Sequence, residues 1–350
     1  MTIRENIIAA AETELAARRR RAELAYEQRK AALYKDCPEL AEIRARLNCI
    51  RVCEDYLSME MQAPAAVRKQ AGEQYAPLFE LDDAALARER NKAEAEYADA
   101  VKTADEAGLA RERFYCPRCR DTGSVTGPDG ETERCGCFGE LLRAEIVKAS
   151  GLPACSVGFD DLDLGIYGNG KAAGDAGEPR RTAEKAYKAA REFAAGNGGD
   201  NKTRMFITGK VGVGKTYLAC AVGLEAAARG QFVFYGGISD ILDALQFRVF
   251  NSDEEREAYD ARREYINGAD LLIIDDLGVE NITDKRFENL ITLLDRRTGD
   301  GLRTVITSNL GLNEIARVYG ERLASRFADR DNTLNLRLTG DDLRLIKKSK

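Results

Sequence analysis

Met205-Phe206-Ile207-Thr208-Gly209-Lys210-Val211-Gly212-Val213-Gly214-Lys215-Thr216 decides how this chain is read. Residues 205–208 are a short apolar β run, residues 209–216 fit G-x-x-x-x-G-K-[ST] at every position, and residues 215–229 have the composition of a helix. A strand, a glycine loop and a helix are the context that gives the pattern its chemistry. The glycines let backbone N–H groups turn inward around phosphate oxygens at a helix N-terminus, where the dipole favours an anion. Lys215 then reaches the β- and γ-phosphates, and the Thr216 hydroxyl faces Mg²⁺. Gly209, Gly212, Val213, Gly214, Lys215, Thr216 and Tyr217 are the expected nucleotide contacts.

Two more β runs lie downstream. Leu271-Leu272-Ile273-Ile274-Asp275-Asp276 is apolar until it ends in two carboxylates, and Thr304-Val305-Ile306-Thr307-Ser308-Asn309 ends in polar residues. With a phosphate loop upstream, Asp275 completes the Mg²⁺ site beside Thr216, and Asp276 orients or deprotonates an attacking water. Without that loop the acid pair would be no more than an Asp-rich turn. Asn309 is either a turn residue or a second group on the same water. Helices are expected at about 182–195, 254–267, 284–297 and 312–319, with another β run at 231–235. Such alternation predicts an α/β domain whose parallel sheet lies between helices.

Upstream, Cys116-Pro117-Arg118-Cys119 and Cys135-Gly136-Cys137 flank a loop rich in Gly, Thr and Asp. Two chelating pairs of thiols can close a tetrahedral zinc site, and pairing the ligands lowers the entropy cost of assembling it. Unmetallated, they are four reduced thiols. Cys37, Cys49, Cys53, Cys155 and Cys220 lack ligand spacing and are expected to be buried small hydrophobes. Nine cysteines without an export signal, and no apolar run long enough for a membrane span, predict a cytoplasmic protein.

Residues 1–110 are rich in Ala, Glu, Arg and Lys with almost no glycine. Leu40, Ile43, Leu47, Ile50 and Leu57 make one helical stripe, and Ile8, Leu15 and Ala22 recur every seven residues, with Tyr26 and Leu33 offset. Helical hairpins or a short coiled coil follow, broken by Pro64, Gly72 and Pro77. The net charge of −6 excludes a broadly basic DNA-coating surface, so any nucleic-acid contact must be local. The arginines at 18–21, flanked by Glu12, Glu14 and Glu23, either touch phosphates or form a solvated helix face. With no histidine, His-based catalysis and His metal ligands are excluded.

Taken in order, GKVGVGKT (209–216), LLIIDDLG (271–278), TVITSN (304–309) and ERLASRF (321–327) resemble the AAA+ ATPases. Within them the set is similar to the DnaC/DnaI-type replicative helicase loaders and the related IstB-like transposition ATPases, over about residues 152–350. CPRCRDTG (116–123) followed by CGCF (135–138) resembles the zinc knuckle that precedes the ATPase domain in DnaI-like and phage-type loaders. The resemblance implies that Asn309 is sensor 1. It makes Arg326 an arginine finger for a neighbouring subunit's nucleotide, with Arg322 as companion, and Arg344 a sensor 2 arginine. Each arginine is otherwise a solvated helix-face charge. Phe247, Arg248 and Phe250 fall where such proteins insert a helix that meets single-stranded DNA; their alternative is the core. The stretch after Leu338 is too short for a separate helical lid, so no full lid is expected.

These readings imply three parts. Residues 1–110 form a helical or coiled-coil region that grips the hexameric replicative helicase. Residues 111–150 form a zinc knuckle and connecting helix. Residues 151–350 form an AAA+ domain that binds ATP, Mg²⁺ and single-stranded DNA and self-associates. The expected function is ATP-dependent loading of the helicase, with ATP hydrolysis as a switch. The alternatives are an IstB-like transposition accessory ATPase and a non-hydrolysing nucleotide-binding adaptor. Intact Asp275, Asp276 and Asn309 favour hydrolysis, whereas the knuckle and helical front favour the loader.

Overall fold

The computed structural model describes residues 2–106, 114–161, 163–168, 178–196, 202–278 and 283–345. The chain forms two compact units, Leu15–Glu133 and Met1–Glu14 with Arg134–Lys350. The first boundary falls inside helix α1 (Ile3–Asp36).

In the unit Leu15–Glu133, α1 is followed by α2 (Pro38–Ser58), α3 (Ala65–Ala71), a 3₁₀ segment (Glu73–Glu80) and α4 (Asp83–Glu106). Pro38 starts α2, where a missing N–H costs nothing, and Pro64 stands just before α3. The expected stripe buries Leu40 and Ile50, and Cys49 and Cys53 join Ile50 against Leu78, Leu86 and Ala93. Leu57, at the end of the stripe, is exposed. Leu15, Ala22 and Leu33 are buried along α1. Arg18 and Arg21 lean over the ring of Tyr115, while Arg19 pairs with Glu23 at 2.9 Å.

The hairpin of β1 (Ser124–Thr126) and β2 (Thr132–Arg134) closes the unit Leu15–Glu133, and the larger unit resumes at Arg134 and continues through α5 (Gly136–Ala149) and α6 (Pro179–Ala195). Then come β3 (Arg204–Thr208), α7 (Lys215–Ala228), β4 (Val233–Gly237), α8 (Ile238–Ala244) and α9 (Asp253–Gly268). The last described elements are β5 (Leu271–Leu277), α10 (Asp284–Gly299), β6 (Arg303–Ser308), α11 (Leu312–Tyr319), α12 (Glu321–Ala328), β7 (Thr333–Arg337) and a 3₁₀ turn (Leu343–Leu345). Ser252 and Thr283 cap α9 and α10 by accepting the amides of Glu255 and Arg286.

Five strands form one parallel sheet in the order β4-β5-β6-β3-β7. Met205, Phe206 and Ile207, like Leu271 to Ile274, have no exposure, as strands covered on both faces require. Because the strands are parallel, the ends of β3, β5 and β6 meet along one edge, where α/β sheets collect ligands. Fully buried Arg297 ties the opposite end: it donates to the carbonyls of Ile266, Asn267, Ala269 and Arg303 and to Thr304 Oγ1. The first turns of α1 also belong here. Ile7 is buried in this core, and Arg4 pairs with Asp270 at 2.7 Å.

The expected α/β sheet is present, but α8, α12 and β7 are additional elements. Residues 246–250 are not helical, and Phe247 is 82% exposed rather than part of the core. Phe250 instead lies 5.0 Å from the ring of Tyr259. Of the five cysteines expected to be buried, Cys49, Cys53 and Cys220 are; Cys37 is half-buried and Cys155 is exposed, because it sits in the turn after α5. Among the described residues, no helix is long and apolar enough to cross a membrane.

Candidate functional site

The loop Gly209–Lys215 joins β3 to α7, and its glycines are fixed by what presses on them. Gly209 has φ +154°, and a Cβ there would run into the carbonyl of Leu338. Gly212 has φ +77°, and a Cβ would collide with the Asp342 carboxylate. Leu343 donates its amide to Gly212 O at 3.0 Å, so the C-terminal 3₁₀ turn lies directly against the phosphate loop. From the other side the buried Tyr167 hydroxyl donates to Val213 O at 2.8 Å. Val213 is buried, whereas Tyr217 is exposed on the first turn of α7.

Lys215 is 6% exposed, and its ammonium donates to Lys210 O at 2.8 Å and Asn309 Oδ1 at 2.5 Å. The loop lysine and the residue ending β6 are therefore in direct contact. Burial pulls the Lys215 pKa below its ordinary value; Asp276 and Asp275 oppose that shift, and Arg344 adds to it. A cation held here by two neutral oxygens suits an incoming anion, which replaces weak partners with charged ones.

Asp275, 5% exposed at the end of β5, accepts hydrogen bonds from three neighbouring strands and helices. Tyr235 of β4 donates to Oδ2 at 2.6 Å and Thr307 of β6 donates to Oδ1 at 2.5 Å. Thr216 Oγ1 lies 3.1 and 3.2 Å from the two oxygens. One hydroxyl proton given to the carboxylate leaves the Thr216 lone pairs for a cation, so this pair fits the expected Mg²⁺ site.

Asp276 behaves differently. The β5–β6 register shifts between Ile274 and Leu277, and Asp276 takes φ +57°. A non-glycine residue in that region costs about 1–3 kcal/mol, and such strain collects at functional sites. The irregularity leaves Asp275 in the sheet and turns Asp276 to solvent, with its amide donating to Thr307 Oγ1 at 3.0 Å. Partial loss of water and then the adjacent Asp275 raise the Asp276 pKa, while Lys215 and Arg344 lower it. A carboxyl shifted upward is better suited to accept a proton.

Arg344 stands on the 3₁₀ turn, its amide donating to Asp342 Oδ1 at 3.0 Å, and its charge is felt by both Lys215 and Asp276. The turn thus brings it to the loop. Arg322 and Arg326 sit apart, on α12. Arg326 grips Asp295 of α10 through two 2.6 Å bonds and donates to Arg322 O at 2.6 Å.

The sulfurs of Cys116, Cys119, Cys135 and Cys137 all lie within 4.8 Å of one another. Tetrahedral zinc with bonds near ~2.3 Å needs this convergence of four thiolates. Buried Asp121 accepts the amides of Tyr115 and Cys116 at 3.0 and 2.8 Å, holding the first pair in its turn.

Four residues of these sites escaped the sequence: Tyr235, Thr307, Tyr167 and Asp342. Thr307 lay inside a run already noted for its polar end. The other three carry no motif and are recruited by tertiary contacts.

The family model described as IstB-like ATP binding protein matches residues 181–350. Over those residues the chain is similar to the IstB-like ATP-binding proteins. The replicative helicase loader DnaC of Escherichia coli (strain K12) is 32% identical over 130 residues, 36% of this chain and 50% of that protein. DnaC of Buchnera aphidicola subsp. Acyrthosiphon pisum (strain APS) is 28% identical over 147 residues, 41% and 58% of the two chains. This chain therefore spans about half the length of the curated relatives it matches. A crystal structure of DnaI is 25% identical, with a TM-score of 0.39, over 57% of this chain and 93% of that one. The matched residues include the glycine loop, Lys215 and the acid pair described above.

Proposed function

We propose that the chain loads the hexameric replicative DNA helicase onto single-stranded DNA, with ATP binding and hydrolysis as the switch. The observation that carries this reading is the convergence of Lys215, Thr216, Asp275 and Asn309 in a domain whose relatives include the loaders named DnaC. Loop amides and Lys215 hold the phosphates of ATP. Thr216 and Asp275 hold Mg²⁺, which when bound draws charge from the phosphate oxygens. Asp276 and Asn309 orient the attacking water, and Asp276 takes its proton.

Arg326, with Arg322 beside it, reaches the nucleotide of a neighbouring protomer, and Arg344 approaches its own. ATP then favours an assembled state on DNA, and hydrolysis removes the γ-phosphate contacts that hold it together. Residues 1–110 grip the helicase, residues 111–150 connect it to the ATPase domain at 151–350, and the four cysteines bind zinc in the cytoplasm.

The IstB-like match favours one second reading, an accessory ATPase for transposition, since an insertion-sequence protein is also among the relatives. Gel filtration of the chain with a hexameric replicative helicase, together with ATP turnover on single-stranded and duplex DNA, separates the two. A stable complex and stimulation by single strands support the loader. No complex, with stimulation confined to duplex DNA, overturns it.

A further inference from the structure

We infer that Tyr235 is a positioning residue for the divalent cation, acting through Asp275. The inference rests on the reading of Thr216 and Asp275 as the Mg²⁺ pair. A carboxylate has about four lone-pair directions, and each one filled by the protein fixes where the remainder point. In Asp275 one oxygen is held by Thr307 and the other by Tyr235, with Thr216 bridging both. Thr307 holds Oδ1, but a single hydrogen bond is a soft restraint that leaves the carboxylate some torsional swing about its Cβ–Cγ bond. The phenol on Oδ2 stops that rotation, so the carboxylate keeps the pose in which it meets the Thr216 hydroxyl.

The phenol is itself held. β4 is the edge of the sheet, where an outward N–H and C=O ordinarily face water. Here the Tyr235 amide donates to Ser150 O at 2.7 Å. Gly151, at φ +77°, comes so close that a Cβ on it would stand 2.8 Å from Tyr235 O. Ser150 has no exposure, and its hydroxyl donates to Val147 O and accepts the Leu152 amide, so the end of α5 is a firm support. Tyr235 is thus fixed on one side by Ile273 of β5 and on the other by the turn after α5. This arrangement orients a metal-binding carboxylate from outside the set of ligands, where such partners typically govern metal affinity.

The test is a Mg²⁺ titration of the affinity for a fluorescent ATP analogue, with the full-length chain as wild type, Tyr235→Phe and Tyr235→Ala. Phe keeps the ring and loses only the hydroxyl. Tyr235→Phe should melt at the wild-type temperature and bind the analogue normally in EDTA. It should need about 10–100-fold more Mg²⁺ to reach the half-maximal gain in affinity, a range typical of lost supporting bonds. Tyr235→Ala should show at least the same shift. A Tyr235→Phe midpoint equal to wild type overturns the inference, as does an equal loss of affinity with and without Mg²⁺, which would mark a packing role. A wild-type chain that gains no affinity from Mg²⁺ overturns the reading of Thr216 and Asp275 itself, and so is distinguishable from failure of Tyr235 alone.

Discussion

Arg326 and Asp295 form a bidentate ion pair, Nε to Oδ1 and Nη2 to Oδ2, each at 2.6 Å. The planar fork of the guanidinium is held in one pose by α10, with Nη1 on the Arg322 carbonyl. For a finger acting on a neighbouring protomer, Arg326→Ala should bind ATP nearly as wild type. In the assembled state it should lose hydrolysis by ~10³-fold or more. Lys215→Ala should fail to bind ATP. Mixing the two should restore turnover, because one interface then joins an intact loop to an intact arginine. A mixture that co-assembles and stays inactive contradicts the trans role.

The same pair sets a pH dependence. Hydrogen bonds from Arg326, followed by the nearby charges of Arg326, Arg204 and Arg322, hold the Asp295 carboxyl below its usual pKa. A carboxyl depressed in the fold contributes stability that is fully present above its unfolded pKa, near ~3.9, and is lost as pH falls through the lower folded value. The Asp295 side chain is 48% exposed, so solvent screening limits the contribution to about 1 kcal/mol or less. Asp295→Asn should therefore cost a little in urea unfolding at pH 7, and that cost should shrink as pH drops below about 4. A larger cost at pH 3 than at pH 7 would reverse the sign of this argument.

The two acids that end β5 should separate by substitution. Asp275→Asn removes an anion from the hydroxyl cage of Tyr235, Thr307 and Thr216 and should weaken Mg²⁺-dependent ATP binding. Asp276→Asn leaves that cage intact. It should bind ATP as wild type and turn it over about 10²–10⁴-fold more slowly, the range for a lost general base. Equal loss of binding in both variants, measured with a fluorescent analogue, would show the roles to be confused.

What could be read from the sequence was local. The strand-loop-helix at 204–228 and the acid-ended strand carry their chemistry in consecutive residues, so both were legible. β7 was not, because Thr333-Leu334-Asn335-Leu336-Arg337 alternates for only five residues and becomes a strand by pairing with β3. Tyr235 matters because β4 lies beside β5, a fact of sheet order that no spacing encodes. The Asp342 contact with Gly212 depends likewise on a turn distant in sequence. Arg344 could be aligned with a motif, yet its position by the loop follows from the Leu343 bond to Gly212. Cys155 is exposed for a related reason: an apolar residue type predicts burial only when the backbone around it is in the core.

The knuckle should carry about one zinc per chain, since four thiolates complete a tetrahedral shell. Cys119→Ser should abolish the metal and unfold residues 114–137, while the melting of the ATPase domain is unchanged because the metal supplies local folding energy. Elemental analysis of protein prepared without chelator, alongside calorimetry, checks both. Absence of zinc in the wild-type chain would contradict the assignment.

Loading onto circular single-stranded DNA tests most directly whether the chain places a helicase on DNA under the control of ATP. A closed circle coated with single-strand-binding protein gives a hexameric ring no free end to thread. With wild-type chain and ATP, helicase should become stably bound to the circle and unwind an annealed oligonucleotide; with Lys215→Ala it should not. Equal unwinding with and without the chain, or equal loading by Lys215→Ala, would contradict the account.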